Sequence, residues 1–437
     1  MKIVHSWLTD LAPVGDDSAS VAEALTGLGL AVDDVRTIGR SVPGVITARV
    51  VRTERHPDAA KVHRVFVDAG DGLERHVWCG AFNMEPGDII PLATPGTAMP
   101  DGRMIEQKPI LGLSSDGMLC SARELGLGED HSGILILPPD TALGVPYGEA
   151  LGLAAETVYD IDLTRNRPDC WGHLGVARDL AAKLHVALAG APCGSGAEGE
   201  LRSASVELVD DRRCGRFVSA VLSGVVVGSS PEWIARRLHA AGMRSINNVV
   251  DASNYVMLEL NQPNHAYDFD RLGGGGFRVR VAREGESIVT LDGVSRSVTS
   301  ADLMICDAAD VPIGIAGIMG GLDSEISDTT TVIAVEAAWF EPSGIQHSAI
   351  RLGLRSEASA RFERGADPHG QAAAVDRFVE LLTLTCPNLV VHAGMVDARG
   401  PDLPPRQRRV DVRLSKINAV LATSIAAPTV VALLEPI

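Results

Sequence analysis

Glu336 stands in the middle of VIAVEAAWF, with Val332, Ile333, Ala334 and Val335 before it and Ala337, Ala338, Trp339 and Phe340 after it. A short apolar run of this kind is the pattern of a strand covered on both faces, and a charged, unpaired carboxylate there is costly. It must meet backbone N–H groups or an arginine, take a proton, or be reserved for a ligand's donor. Just upstream, Gly314, Gly317, Gly320 and Gly321 are separated only by Ile, Ala and Met in IGIAGIMGG. Glycine there lets the backbone approach a ligand or another segment closely, or turn tightly within a sheet. No Lys-Ser/Thr follows as in a phosphate-cradling loop, and the G-x-G-x-x-G order is absent. His265 follows Pro263 in NQPNHAYDFD, a segment too irregular for a helix, where a histidine is either a satisfied loop residue or a site group. There is no H-E-x-x-H, no C-x-x-C and no carboxylate and histidine set at ligand spacing, so no metal is expected.

The elements that must position these residues can be read around them. Val332–Phe340 is the expected buried strand. Upstream, SPEWIARRLHAAGM places Ser230 as a candidate helix cap, Pro231 at the first helical position and Gly242 at the end. Downstream, residues 368–384 show helical spacing at Ala373, Phe378, Leu381 and Leu382. Near the N-terminus a helix is expected over residues 18–28, with Ser18 as cap, Val21, Ala24, Leu25 and Leu28 on one face, and Gly29 as its stop. Leu174–Leu184 also reads as a helix, after an extended or turn segment from Asp162 to Gly172. Between them VITARVV, VHRVFV, RHVWC, DIIPLA and GILIL are short strands separated by DG, PG and PDG turns, which predicts a five-stranded barrel of the OB-fold kind. The fold class is therefore α+β multidomain: an N-terminal α/β domain over 1–40 and 152–190, an OB-fold barrel over 41–151, a linker over 191–205, a mixed α/β module over 206–398, and a linker with a partial small helical domain over 399–437.

Composition narrows the function. With 39 Lys+Arg against 56 Asp+Glu the net charge is −17, so nothing favours broad attraction to nucleic acid and any such contact must be local. The barrel stretch is itself acidic, with 15 acidic and 10 basic residues between Arg40 and Ala150. Seven scattered cysteines, odd in number, point to free thiols in a reducing compartment, read as cytoplasm. The N-terminus lacks an apolar leader core and no run of eighteen apolar residues occurs, so neither secretion nor membrane insertion is expected.

DASNYVMLELNQPNHAYDFDRL, GIAGIMGG and GLRSEASARFERGADP, in that order and spacing, resemble the editing module of the beta chain of bacterial heterotetrameric phenylalanyl-tRNA synthetases. HPDAAKVHRV, VWCGAFN and SSDGMLCSARELGL resemble the tRNA-binding barrel of the same family, with Ala60 and Phe82 as departures. DLTRNRPDC resembles a third family motif, with departures at Arg165 and Pro168. The resemblance implies hydrolysis of tyrosine wrongly esterified to the phenylalanine tRNA. It implies that Glu336 recognises the phenol hydroxyl, that His265 lines the pocket near the ester, and that Gly317 and Gly320 lie at the substrate. Ser356 stands where the family has threonine, keeping the hydroxyl. It implies tRNA contacts for the barrel, at Lys61, Asn83 and Ser121. A buried acceptor that phenylalanine leaves unpaired can discriminate by about 10⁴ to 10⁵, which suits the role implied for Glu336.

The same resemblance implies a longer chain, continuing with a catalytic-core-like module that contacts an alpha subunit and with an anticodon-binding module. The polypeptide is then a fragment, a decayed gene or a freestanding relative. ATP and magnesium belong to the complete family enzyme, and no cofactor is expected in this chain. The rival reading is a non-catalytic tRNA-binding or assembly protein. Since no nucleotide-binding motif is present, phenylalanine-dependent pyrophosphate exchange by the isolated chain is expected at background; turnover without an added partner would contradict this.

Overall fold

The alternating runs between Val45 and Leu119 pair into one antiparallel sheet, in the order Glu74–Cys79, His63–Asp68, Val45–Arg55, Ile89–Ala93, Met118–Leu119. In this computed structural model, residues 1–39, 42–55, 61–110, 113–127, 131–151, 155–189, 199, 202–392 and 394–437 are described. The linker expected over 191–205 lies mostly outside them, as do Ala60 and the junctions at 40–41 and 152–154. Contacts divide the chain into two units, Arg36–Val158 and Met1–Val35 with Tyr159–Ile437.

The smaller unit holds the curled sheet. The Asp116 N–H donates to the His76 carbonyl over 2.9 Å, so the segment entering the last strand returns to the first, and the sheet closes on Val50, Val65, Val77, Ile90 and Leu92. Alternation gave four of these strands because one face of each packs inward; GILIL, expected as the fifth, forms only a bridge from Leu137 to Ile89, and Met118–Leu119 pairs at the edge instead.

The larger unit is built from two further five-stranded sheets. One runs Ser205–Leu208, Gly276–Val281, Leu303–Asp307, Pro312–Ile315, Met319–Gly320. In the other, Val332–Phe340 lies between Asn264–Asp268 and Cys214–Ser223, and the last of these also pairs with Val390–Val391 and Val396–Arg399. Phe217, Phe277, Val279, Ile305, Ile315 and Phe340 form their common core. The helices Asn248–Leu260 and Gln371–Thr383 cover the second sheet. The latter begins three residues later than the spacing suggested, because Asp367 accepts from the His369 N–H (2.8 Å) in a turn that ends at Gly370.

Two helix caps differ from expectation. Asp17, not Ser18, caps Ser18–Gly27: its backbone is extended and its carboxylate accepts from the Ala19 N–H and the Ser20 hydroxyl. Ser230 does not cap Glu232–Ala240. Its hydroxyl donates to Asp251 over 2.6 Å, which leaves Pro231 itself in the cap position. The helices Leu414–Leu421 and Ala427–Leu434 carry no buried residue. Among the described residues no helix is long and apolar enough to cross a membrane.

An aromatic joint ties the N-terminal segment to the larger sheets. Trp7, fully buried, stacks between His173 (4.0 Å) and Tyr255 (3.9 Å) and donates its indole N–H to Glu259. Arg377 forks onto the same carboxylate at 2.7 and 3.0 Å. Gly172 is glycine for a steric reason here: a Cβ would lie 2.6 Å from the Asn261 nitrogen. His173, wholly enclosed, accepts from the Val4 N–H through Nε2 and donates to the Leu258 carbonyl through Nδ1, and burial pulls its pKa down to about 3. Removing one member of a buried ion pair strands the other. Arg377→Met is therefore expected to destabilise the chain by about 3–5 kcal/mol, and adding Glu259→Gln to restore most of that loss; urea unfolding of the single and double variants measures both.

Candidate functional site

Strand pairing sets the site. Within the second sheet Glu336 is directly opposite His265 on one side and Ser219 on the other. Residues directly opposite share a face, so a serine, a glutamate and a histidine lie in one row across three strands. Tyr267, two positions beyond His265, shares that face and sets its ring edge-on to the imidazole at 4.5 Å. The segment read as irregular around His265 is thus a strand, Asn264–Asp268.

The NQPN residues before it are scaffold. Asn261 takes a left-handed conformation at the end of Asn248–Leu260 and donates to the Pro168 carbonyl. Gln262 donates to the Ala338 carbonyl and accepts from Gln371, which in turn accepts from Arg216. Asn264 and Ser253 exchange hydrogen bonds with each other's backbone carbonyls.

The glycine run forms a hairpin from Pro312–Ile315 to Met319–Gly320. Gly317 sits at φ 66°, where a Cβ would also press to 2.9 Å from Phe362. At Gly320 a Cβ would come within 3.0 Å of His265 Nε2, so the missing side chain is the space in which the imidazole lies. The turn is pinned by Ser356, whose hydroxyl donates to the Ile318 carbonyl (2.7 Å) and accepts from the Ser359 N–H (3.1 Å). Ser359 returns the bond to the Ser356 N–H, completing a capping box for Glu357–Phe362.

A cavity of about 620 Å³ opens between these elements, and Glu336, His265, Ser356, Gly317 and Gly320 all line it. Its apolar walls include Met243, Val249, Met257, Ile305, Phe340 and Phe362. Glu336 is only 5% exposed and no cation pairs with it among the described residues; its hydrogen-bond partner is the Tyr267 hydroxyl, a weak donor at 3.4 Å. A carboxyl so placed escapes the cost of a buried charge by binding a proton. Burial pushes its pKa up to about 8, against a smaller opposing effect of the tyrosine hydroxyl. Burial also pulls His265 down to about 4, so the imidazole is neutral, and its buried Nε2 has no partner. The Ser219 hydroxyl and the Asn264 side-chain oxygen are likewise buried and unpaired. The cavity therefore offers a neutral carboxyl that can donate and accept, an open imidazole nitrogen and apolar walls. The Ser356 hydroxyl is not a free nucleophile there, because it is engaged twice.

Tyr267 had no assigned role in the sequence reading, although its i+2 spacing from His265 places it on the same face of any strand. Arg244, Asn247 and Asn254, also on the cavity wall, left no comparable signal.

On the smaller unit Lys61 is exposed. The Asn83 side chain clamps Ile134, donating to its carbonyl at 2.8 Å and accepting from its N–H at 2.9 Å. Ser121 is buried and shares hydrogen bonds with Glu124 in a tight turn. Ser121 lines a second cavity, of about 720 Å³, with Trp78, Arg103, Arg123 and His131; Lys61 and Asn83 do not. Among the described residues one set of potential metal ligands comes together, Asp169, Cys170 and Asp179. Arg167 fills its centre, donating to all three side chains.

Residues 213–387 match the family described as "B3/4 domain", and residues 45–146 match the one described as "Putative tRNA binding domain". The phenylalanine–tRNA ligase beta subunit of Anaeromyxobacter dehalogenans is 45% identical over 91% of this chain and 50% of its own length. Those of Syntrophus aciditrophicus and Geobacter sulfurreducens are 41% and 42% identical, each over 98% of this chain and 53% of its own length. The chain spans about half the length of the curated relatives it matches, and it belongs to the family of phenylalanine–tRNA ligase beta subunits.

Proposed function

We propose that the chain binds tRNA and acts as an editing ester hydrolase, removing tyrosine from mischarged phenylalanine tRNA in support of phenylalanyl-tRNA synthesis. The observation that carries this reading is the Glu336 carboxyl, held in an apolar cavity with only a long tyrosine hydrogen bond to satisfy it. A phenol hydroxyl entering the cavity meets a group that can accept from it or donate to it. A phenyl ring leaves that group stranded, and buried polar groups left unpaired are what separate such substrates.

The ester end is then placed toward His265, whose open Nε2 is suited to hold a water. With Ser356 committed to the hairpin, the attacking group is a water, or is assisted by the ribose hydroxyl adjoining the ester, and the chain's contribution is orientation and exclusion of bulk solvent. The partner carrying the ester is phenylalanine-specific tRNA, with the curled sheet of the smaller unit as one contact.

A binding-only reading draws on the engaged Ser356 hydroxyl. Deacylation of tyrosine-charged phenylalanine tRNA by the full chain separates the two: release above the uncatalysed rate is expected, and its absence favours binding alone. In the same assay Glu336→Ala is expected to lower selectivity for tyrosyl over phenylalanyl ester by ~1–3 kcal/mol, the scale of an unmade buried hydrogen bond. Equal selectivity in variant and parent would remove Glu336 from recognition.

Protonation of Glu336 has its own signature in stability. Its folded pKa of about 8 lies above the ordinary 4.5, so between those values the folded chain holds a proton that the unfolded chain releases. The stabilisation this gives is full below about pH 4.5 and is lost as pH rises through 8. Glu336→Gln lacks it, so the variant's stability relative to the parent is expected to improve steadily across that interval; a pH-independent difference in urea midpoints would show the carboxyl ionised in the folded chain.

A further inference from the structure

A group of arginines gathers where the Glu357–Phe362 helix leaves the cavity wall. Arg361 is 1% exposed, yet its hydrogen bonds are made by Nη1 alone, to the Glu357 carbonyl and to a Glu357 carboxylate that is itself largely exposed. Its Nε is buried without a partner. Arg364 lies over the Trp171 ring at 4.1 Å, and Arg361 reaches the same ring at 5.7 Å. Arg364 engages the Ala360 carbonyl and Glu363 through Nη1. Its pKa is held below the ordinary guanidinium value by burial, which outweighs Glu363, and further by repulsion from Arg355 and Arg165.

Arg355 is well exposed and only loosely paired with Glu363, at 3.7 Å. Arg165 is exposed and takes part in no ion pair among the described residues. Among the described residues these four guanidinium groups have Glu357 and Glu363 as their ion-pair partners, while Asp169, two residues before Trp171, and Asp179 are taken up by Arg167, in a chain whose net charge is −17. Placing like charges together is unfavourable unless an anion shares them, and a guanidinium flattened on an indole presents the planar fork that fits a phosphate. Position adds to charge. Arg355 directly precedes Ser356 and Glu357 on the cavity wall, and the helix from there to Phe362 is about 9 Å long at 1.5 Å per residue.

We infer that Arg165, Arg355 and Arg364, the last of them held over Trp171, form a subsite for the phosphodiester backbone of the nucleic-acid strand whose terminal ester enters the cavity. This rests on the editing reading for the destination of the strand and on the arginine cluster alone for the strand itself. Arg361 is a positioning residue within it, adding charge from beneath. A strand held there is tethered beside the cavity wall at Ser356 and Glu357, so the pocket need bind only the aminoacyl end.

The test is fluorescence anisotropy of a labelled phenylalanine tRNA transcript titrated with the full chain over a series of salt concentrations, followed by deacylation kinetics on the tyrosyl form. Arg165→Gln and Arg355→Gln remove exposed side chains and leave the core intact. Each is expected to weaken binding and to lower the slope of log affinity against log salt by about one, raising KM for the charged tRNA with kcat unchanged. Arg364→Lys keeps the charge but loses the stacked fork, and is expected to lie between parent and glutamine variants. Affinity and slope equal to the parent in both exposed-site variants would overturn the proposal. So would a loss confined to polyglutamate used as competitor, which would assign the patch to an acidic protein. Altered slopes without any deacylation by the parent chain would keep this subsite and remove the editing reading; deacylation with unaltered slopes and KM would do the reverse.

Discussion

The energetics of the larger unit turn on a carboxyl in the middle strand of a sheet. Val332–Phe340 is paired along its length to Cys214–Ser223 and over Ile333–Ala337 to Asn264–Asp268, so its backbone has no freedom to turn Glu336 outward. Slipping either neighbour by one residue would send the whole apolar set to the wrong face. The sheet therefore holds Glu336 where water cannot answer it, and the cost falls on protonation and on the thin hydrogen bond from Tyr267. The same row carries Ser219, fully buried with its hydroxyl unpaired. Unmade polar contacts normally mark either buried water or a place reserved for a ligand, and two of them, at His265 Nε2 and the Asn264 side-chain oxygen, belong to residues that line the cavity.

Much of what surrounds that carboxyl is support. Gln262, Gln371 and Arg216 form a buried polar chain that ends on Asp397 at 2.8 and 3.0 Å. It fixes the entry to Asn264–Asp268, and with it the height of His265 above the sheet. On the far side Thr330 donates to Asp268 at 2.7 Å, tying the exit of that strand to the entry of Val332–Phe340. Ser356 does the equivalent for the hairpin. The conformations of Glu336, His265 and Gly320 are thus each set by a separate set of hydrogen bonds, which is the condition for a site whose geometry survives binding.

Periodicity made the strands and helices legible because each buries one face, and the apolar run around Glu336 was enough to place it in a covered strand. The pairing of Glu336 with His265 was not legible, since register between segments 71 residues apart depends on the whole sheet. Helix caps failed for local reasons: Asp17 and Ser18 are neighbours of similar capping propensity, and Ser230, the better cap by type, is drawn to Asp251 instead. Ser356 shows the opposite limit. Its residue type is right for chemistry, while its hydrogen bonds, visible only in three dimensions, assign it to structure. The stack of Trp7 on His173 and Tyr255 joins segments that composition had set in separate domains, because aromatic residues so far apart carry no mutual signal in one sequence.

Net charge misleads in a related way. A total of −17 describes the far field, but ions screen exposed charges beyond about 8–10 Å, so an approaching polyanion responds to the groups within that distance. Beside Trp171 those groups include Arg361 and Arg364, with Glu357 and Glu363 as partial counter-charges, and Arg167 held by Asp169 and Asp179. On the proposed reading, acidic surface elsewhere would favour selectivity by penalising poses that lay a strand away from these arginines. On the proposed editing reading, weak binding overall and correct placement locally are compatible: affinity concentrated at a few phosphates beside the pocket would orient the ester without holding the whole nucleic acid.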